Sequence, residues 1–114
     1  MAWNNAQKFI IRYMDDPNCD IYILSSILSK DSINLGCVDG RPSVAHLAAI
    51  GSSLRIMRLL VEYHFAPVNV TDKEGATPLH WACQKGNIKM IEYLIKRKAD
   101  LNAIDFRKYS KIQI

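Results

Sequence analysis

Residues 72–103 read DKEGATPLHWACQKGNIKMIEYLIKRKADLNA, and this stretch decides the fold. Thr77 is placed to cap a helix, and Pro78 falls at the first helical position, where a missing N–H costs nothing. The spacing predicts a helix from Pro78 to about Lys85, ended by Gly86. Asn87 can cap a second helix, in which Ile88, Ile91, Leu94 and Ile95 recur at the spacing of one apolar stripe. The result is a pair of antiparallel helices, each of which needs a neighbour to shelter its apolar flank.

Working outward, Asp39, Asp72 and Asp105 stand 33 residues apart, and Ala66 and Asn69 return at that interval as Ala99 and Asn102. This period, with Gly75 and the run Thr77, Pro78, Leu79, His80 and Ala82, strongly resembles the ankyrin repeat. The resemblance implies an all-α solenoid of stacked antiparallel helix pairs joined by β-turn or hairpin fingers. It is clear over residues 72–104 and divergent over residues 39–71. In the divergent repeat Ser43, Val44, Ala45 and His46 stand where Thr-Pro-Leu-His would be, one residue out of strict register. There Ser43 serves as cap, Leu47 and Ala48 pack behind it, Gly51 closes the helix, and Ser52 or Ser53 opens the next. Leu54, Met57, Leu60 and Val61 supply the second stripe, with the extra residue absorbed near Tyr63 to Phe65.

Residues 1–38 carry no such motif. Ala6, Phe9, Ile10 and Tyr13, then Ile23, Leu24, Ile27 and Leu28, nevertheless predict two amphipathic helices broken at Asp15 to Asn18. They are expected to form an N-terminal cap, since terminal repeats meet water on one side. At the other end Asp105, Ser110, Ile112 and Gln113 fall on Asp72, Thr77, Leu79 and His80, so residues 105–114 begin a repeat that lacks its second helix. Two explanations stand open. The sequence is a fragment, or the flank of Ile88, Ile91 and Leu94 is covered by another molecule, self-association through the incomplete repeat included.

The 114 residues carry a net charge of +4, with +5 in residues 85–114 and −1 in residues 1–84. Such a basic third can attract acidic protein surfaces or nucleic acid, and charge alone does not choose. Cys19, Cys37 and Cys83 form no C-x-x-C pair and cannot all pair within one molecule, so reduced thiols are expected. The N-terminus lacks a signal-peptide pattern, and no apolar stretch reaches membrane-spanning length. A cytoplasmic protein is expected, with the nucleus as a second location and secretion disfavoured. On that basis Asn69, Val70 and Thr71 are a coincidental match to a glycosylation acceptor.

Chemistry-bearing residues are sparse. His80 lies three residues before Cys83, with His46 and Cys37 one repeat earlier, but no zinc-site spacing accompanies them. The resemblance makes His80 structural, bonded to the hairpin and to the capping threonine. No nucleophile with a base can be assembled and no glycine-rich phosphate loop is present, so catalysis, cofactors and metals are not expected. His64, at a helix end, reads as structural, and Trp3 as packing on the cap. Lys98 replaces the glycine that the family uses after the second helix, at a cost on the order of 1 kcal/mol if the left-handed conformation is kept.

What the resemblance implies about function is partner binding through finger tips and inner helices. The finger positions are Lys73, Glu74 and Ala76, and the groove positions Trp81, Gln84 and Lys85. The divergent repeat offers Arg41, Leu47 and Ile50, and the incomplete one Phe106, Arg107 and Tyr109. Trp81 is the first choice for an anchor, with core packing as its competing role. Aromatic and basic residues with one acid suggest a protein partner bearing apolar and acidic side chains. Two alternatives are a regulatory segment of a longer enzyme or channel, and nucleic-acid binding through residues such as Lys96, Arg97, Lys98, Lys108 and Lys111, which ranks last because no reading motif accompanies the charge.

Overall fold

A computed structural model describes residues 3–30, 35–36 and 41–101. Among these residues the regular elements are all helical: α1 (Asn5–Tyr13), α2 (Ile21–Lys30), α3 (Val44–Ile50), α4 (Leu54–Arg58), which runs on into a π-helical turn at Leu59–Tyr63, α5 (Pro78–Lys85) and α6 (Ile88–Lys96). They form three hairpins. The first helices α1, α3 and α5 stack side by side with α3 in the middle, and each packs against its own second helix. One continuous core results, running from Ala6 and Ile10 through Leu24, Ala48, Met57 and Leu60 to Leu79, Met90 and Leu94.

A single device begins every first helix. Thr77 Oγ1 accepts the His80 backbone N–H while the Thr77 N–H donates to His80 Nδ1 at 3.0 Å. Ser43 and His46 repeat this pair in α3, and Asn4 and Gln7 repeat it in α1, at 2.8 Å in both directions. In two of the three, the residue three places after the cap also reaches across the stack. Gln7 Nε2 donates to the Pro42 carbonyl at 3.0 Å, and His46 Nε2 bonds the Ala76 carbonyl at 2.7 Å. Pro42 and Ala76 each immediately precede the next cap, so Gln7 and His46 do the same work. The N-terminal hairpin therefore follows the plan of the other two, with an amide in place of the imidazole, which is why the sequence pattern hides it.

The slipped register has a local cause. Counting from the second-helix caps Ser53 and Asn87, Leu60 matches Leu94, yet Ala66 lies six residues beyond Leu60 while Ala99 lies five beyond Leu94. The surplus residue sits in the π-helical turn, a wider coil that houses it without breaking the helix, and the Ala66 N–H reaches back to the Leu60 carbonyl at 3.0 Å. The absorption thus begins a turn earlier than the expected Tyr63 to Phe65. Gly51 does not supply the left-handed turn after α3. Its φ is −81°, and Ser52 takes that role at +56°, matching Gly86 at +69°. Gly51 is small for another reason: a Cβ there would lie 2.6 Å from the Met14 side chain.

Two stripe residues also depart from expectation. Ile23 is exposed on α2, and Ile88 is 64% exposed, its place in the α6 core taken by Met90. Both sit in the first turn of their helix. Lys98 does adopt the left-handed conformation, at φ +72°. Lys98→Gly is accordingly expected to raise the unfolding free energy by about 1 kcal/mol, read as a higher urea midpoint at unchanged slope. A lower midpoint would mean that the lysine contributes something the backbone strain does not offset.

Candidate protein-interaction surface

The finger between the second and third hairpins is built by Asp72. Its Oδ1 accepts the Glu74 and Ala76 N–H groups at 2.9 and 3.0 Å, and Gly75, at φ +80°, lets the turn close. Its Oδ2 accepts the Trp81 indole N–H at 3.2 Å, tying the finger to α5. Partial burial pushes the Asp72 carboxyl up, but the donors of Ala76, Trp81 and Glu74 outweigh it and hold the group below the ordinary carboxylate range. Lys73 stands exposed at the tip, with Glu74 half-buried beside it.

Along α5, Trp81 is half-buried while Gln84 and Lys85 are exposed. Trp81 braces the finger through its indole N–H and stays half-buried rather than enclosed in the core. Arg41 lies with its guanidinium 4.7 Å from the centre of the Trp3 ring, a cation–π contact at the start of the middle hairpin, and Ile50 is half-buried at the end of α3. Two expected contact residues are withdrawn. Ala76 is 0% and Leu47 5% exposed, because α3 is packed on both sides and the Ala76 backbone is committed to Asp72 and His46. Phe106, Arg107 and Tyr109 lie outside the described residues, as do Cys37 and the repeat expected from Asp105.

The histidines are structural in their bonding. His46 Nδ1 accepts the Ser43 N–H, so Nε2 carries the proton and donates to the Ala76 carbonyl, and burial above all pulls its pKa below 6.5. His80 Nδ1 is occupied in the same way, and its buried Nε2 has no hydrogen-bond partner among the described residues. His64 Nε2 bonds Ser25 Oγ at 3.0 Å, fastening the end of α4 to α2. Burial pushes the Cys83 thiol up, away from nucleophilic reactivity. Asn69 is a staple between loops, donating to the Lys98 carbonyl and accepting the Asp100 N–H at 3.1 and 2.7 Å.

A second polar cluster went unforeseen. On the outer helices, Glu62 Oε2 accepts the Tyr93 hydroxyl at 2.7 Å and meets Arg58 Nε at 3.2 Å and Arg97 at 3.4 Å. The Tyr93 bond, with both guanidinium groups behind it, holds the Glu62 carboxyl below its usual range. Burial and Glu62 together push the Tyr93 phenol up to about 12, so it stays a donor. The i,i+4 pair Arg58 and Glu62 was the one trace of this cluster in the sequence.

Helical hairpins stacked in register, with caps that cross-link one unit to the next, define an α-helical repeat protein whose exposed loops and helix faces vary on a fixed frame. A family model described as ankyrin repeats in three copies matches residues 5–105, beginning inside α1. The chain belongs to the ankyrin-repeat family, whose repeats generally mediate contacts between proteins. It is 38% identical over 82 residues to the palmitoyltransferase AKR1 of Saccharomyces cerevisiae, covering 70% of this chain and 10% of that protein. A putative ankyrin repeat protein of Rickettsia felis is 30% identical over 109 residues, 95% of this chain and 27% of that protein. Human palmitoyltransferase ZDHHC13 is 29% identical over 123 aligned residues, 96% of this chain and 19% of that protein. The chain thus spans a tenth to about a quarter of the length of these relatives.

Proposed function

We propose that the chain is a non-catalytic protein-binding module that grips a partner segment with the finger at Lys73 and Glu74 and the open face of α5. The observation that carries this is Trp81, anchored by its indole N–H to Asp72 yet partly open between the finger and the exposed Gln84 and Lys85. A rigid aromatic beside a cation suits a partner with apolar and acidic side chains. Arg41 and Ile50 extend the same surface onto the middle hairpin. This reading has the module at work in a reducing compartment such as the cytoplasm, in keeping with the free thiols of Cys19 and Cys83.

Peptides selected by display against the wild-type chain are the direct test. They are expected to be rich in acidic and apolar residues and to lose about tenfold or more in affinity for a Trp81→Ala, Lys85→Glu variant whose helical circular dichroism is intact. Undiminished affinity in a folded variant removes this surface from consideration.

A second reading, that the chain is the regulatory ankyrin segment of a longer enzyme, is favoured by its similarity to short portions of proteins named palmitoyltransferases. Reading the natural transcript past Ile114 decides it. An enzyme domain in frame supports it, and a stop codon directly after Ile114 excludes an enzyme on that side.

A further inference from the structure

The first helices stack closely, whereas the second helices α4 and α6 stand apart and leave a cleft of about 490 Å³ on the outer side of the stack. Its walls are Leu54 and the Tyr93 ring, and its polar lining is Arg58, Lys96, Arg97 and Glu62. Three cations face one carboxylate there, and a single oxygen of that carboxylate already receives Tyr93, Arg58 and Arg97. The cleft therefore keeps an excess of two positive charges. Arg58 spends only its Nε on Glu62, so its terminal N–H groups have no bond among the described residues.

From this arrangement we infer a second binding surface, separate from the finger and α5: the outer cleft between α4 and α6 takes an extended acidic segment of a partner protein. Charge complementarity fixes the sign of the occupant. The dimensions indicate a peptide rather than a lone anion, because Arg58 and Glu62 also line the neighbouring cleft of about 200 Å³ with Ile21, Leu59 and Tyr63. Two clefts sharing one ion pair form a track in which cations alternate with apolar walls. A chain whose carboxylates alternate with small apolar side chains matches it. The cations line a recess rather than crown a projecting ridge, which disfavours the flat headgroup layer of a membrane.

A short fluorescein-labelled peptide alternating glutamate with alanine is the probe, titrated by fluorescence anisotropy into the full chain at low and moderate salt. Two variants of equal net charge separate the cleft from general attraction to a basic chain. Arg58→Gln with Arg97→Gln is expected to weaken binding by about tenfold, while Lys8→Gln with Lys30→Gln, exposed on the first hairpin, changes it by about twofold or less. Glu62→Gln removes the one opposing charge and is expected to strengthen binding by about threefold, a gain that misfolding cannot imitate. Equal losses in the two double variants, no gain from Glu62→Gln, or no binding of the peptide overturns the inference. Tighter binding of a matched phosphoserine peptide or of phosphatidylserine vesicles overturns it in favour of a phosphate ligand or a membrane. Failure of the Trp81 and Lys85 surface leaves it untouched, since that test alters none of Arg58, Arg97 and Glu62.

Discussion

His46→Ala lowers the unfolding free energy by roughly 3 kcal/mol, the sum expected from a buried cavity and from groups left without partners. The imidazole is fully buried, receives the Ser43 N–H, and spans to the Ala76 carbonyl at 2.7 Å, so its removal opens both the cap of α3 and the link between hairpins. Urea titration measures the loss, and a change below about 1 kcal/mol would show that water replaces the imidazole without cost. A pH dependence accompanies it. Burial sets the folded pKa below 6.5, so in acid the unfolded chain binds a proton that the folded chain refuses. The stability contributed by the neutral ring is intact above about 6.5 and is lost as pH falls from there toward the folded value. Urea midpoints between neutral and mildly acid pH should fall more steeply for the wild type than for His46→Gln, which cannot titrate.

Ile10→Ala is the second large effect, also roughly 3 kcal/mol, because Ile10 is fully buried where α1 meets the stack. Its value lies in the shape of the transition. If Gln7 joins the first hairpin to the second as His46 joins the second to the third, the whole chain loses stability in one step. Circular dichroism and tryptophan fluorescence should then give coincident unfolding curves, shifted together. Two separated transitions would mark the first hairpin as an appendage that melts by itself.

The third hairpin was legible almost residue by residue, because its helix starts and stops are written in side chains with one physical role each: Thr77, Pro78, Gly86 and Asn87. The first hairpin was legible only as helices. Asn4 and Gln7 form the same box as Thr77 and His80, but asparagine and glutamine are common on any surface, and only the reach of Gln7 to Pro42 distinguishes them. The insertion in the middle hairpin could be counted but not located, since a π-helical turn needs no special residue type. Of the proposed surface, the places of the finger and α5 residues in the fold followed from the repeat. Ala76 and Leu47 failed because exposure depends on the neighbour across the stack, which one repeat does not specify. The cluster at Glu62 depends on Tyr93 and Arg97, some 31 and 35 residues away, and sequence spacing carries no such information.

His80 holds a consequence for whatever polypeptide lies along the α5 side of the third hairpin. Its Nε2, deep and unanswered among the described residues, carries a proton because Nδ1 is already an acceptor. A wholly greasy surface pressed against it would strand that proton away from water at a cost of about 1–3 kcal/mol. Pro42 brings such an oxygen to Gln7 and Ala76 brings one to His46, so whatever unit packs next along the stack has to fit one atom as well as a shape.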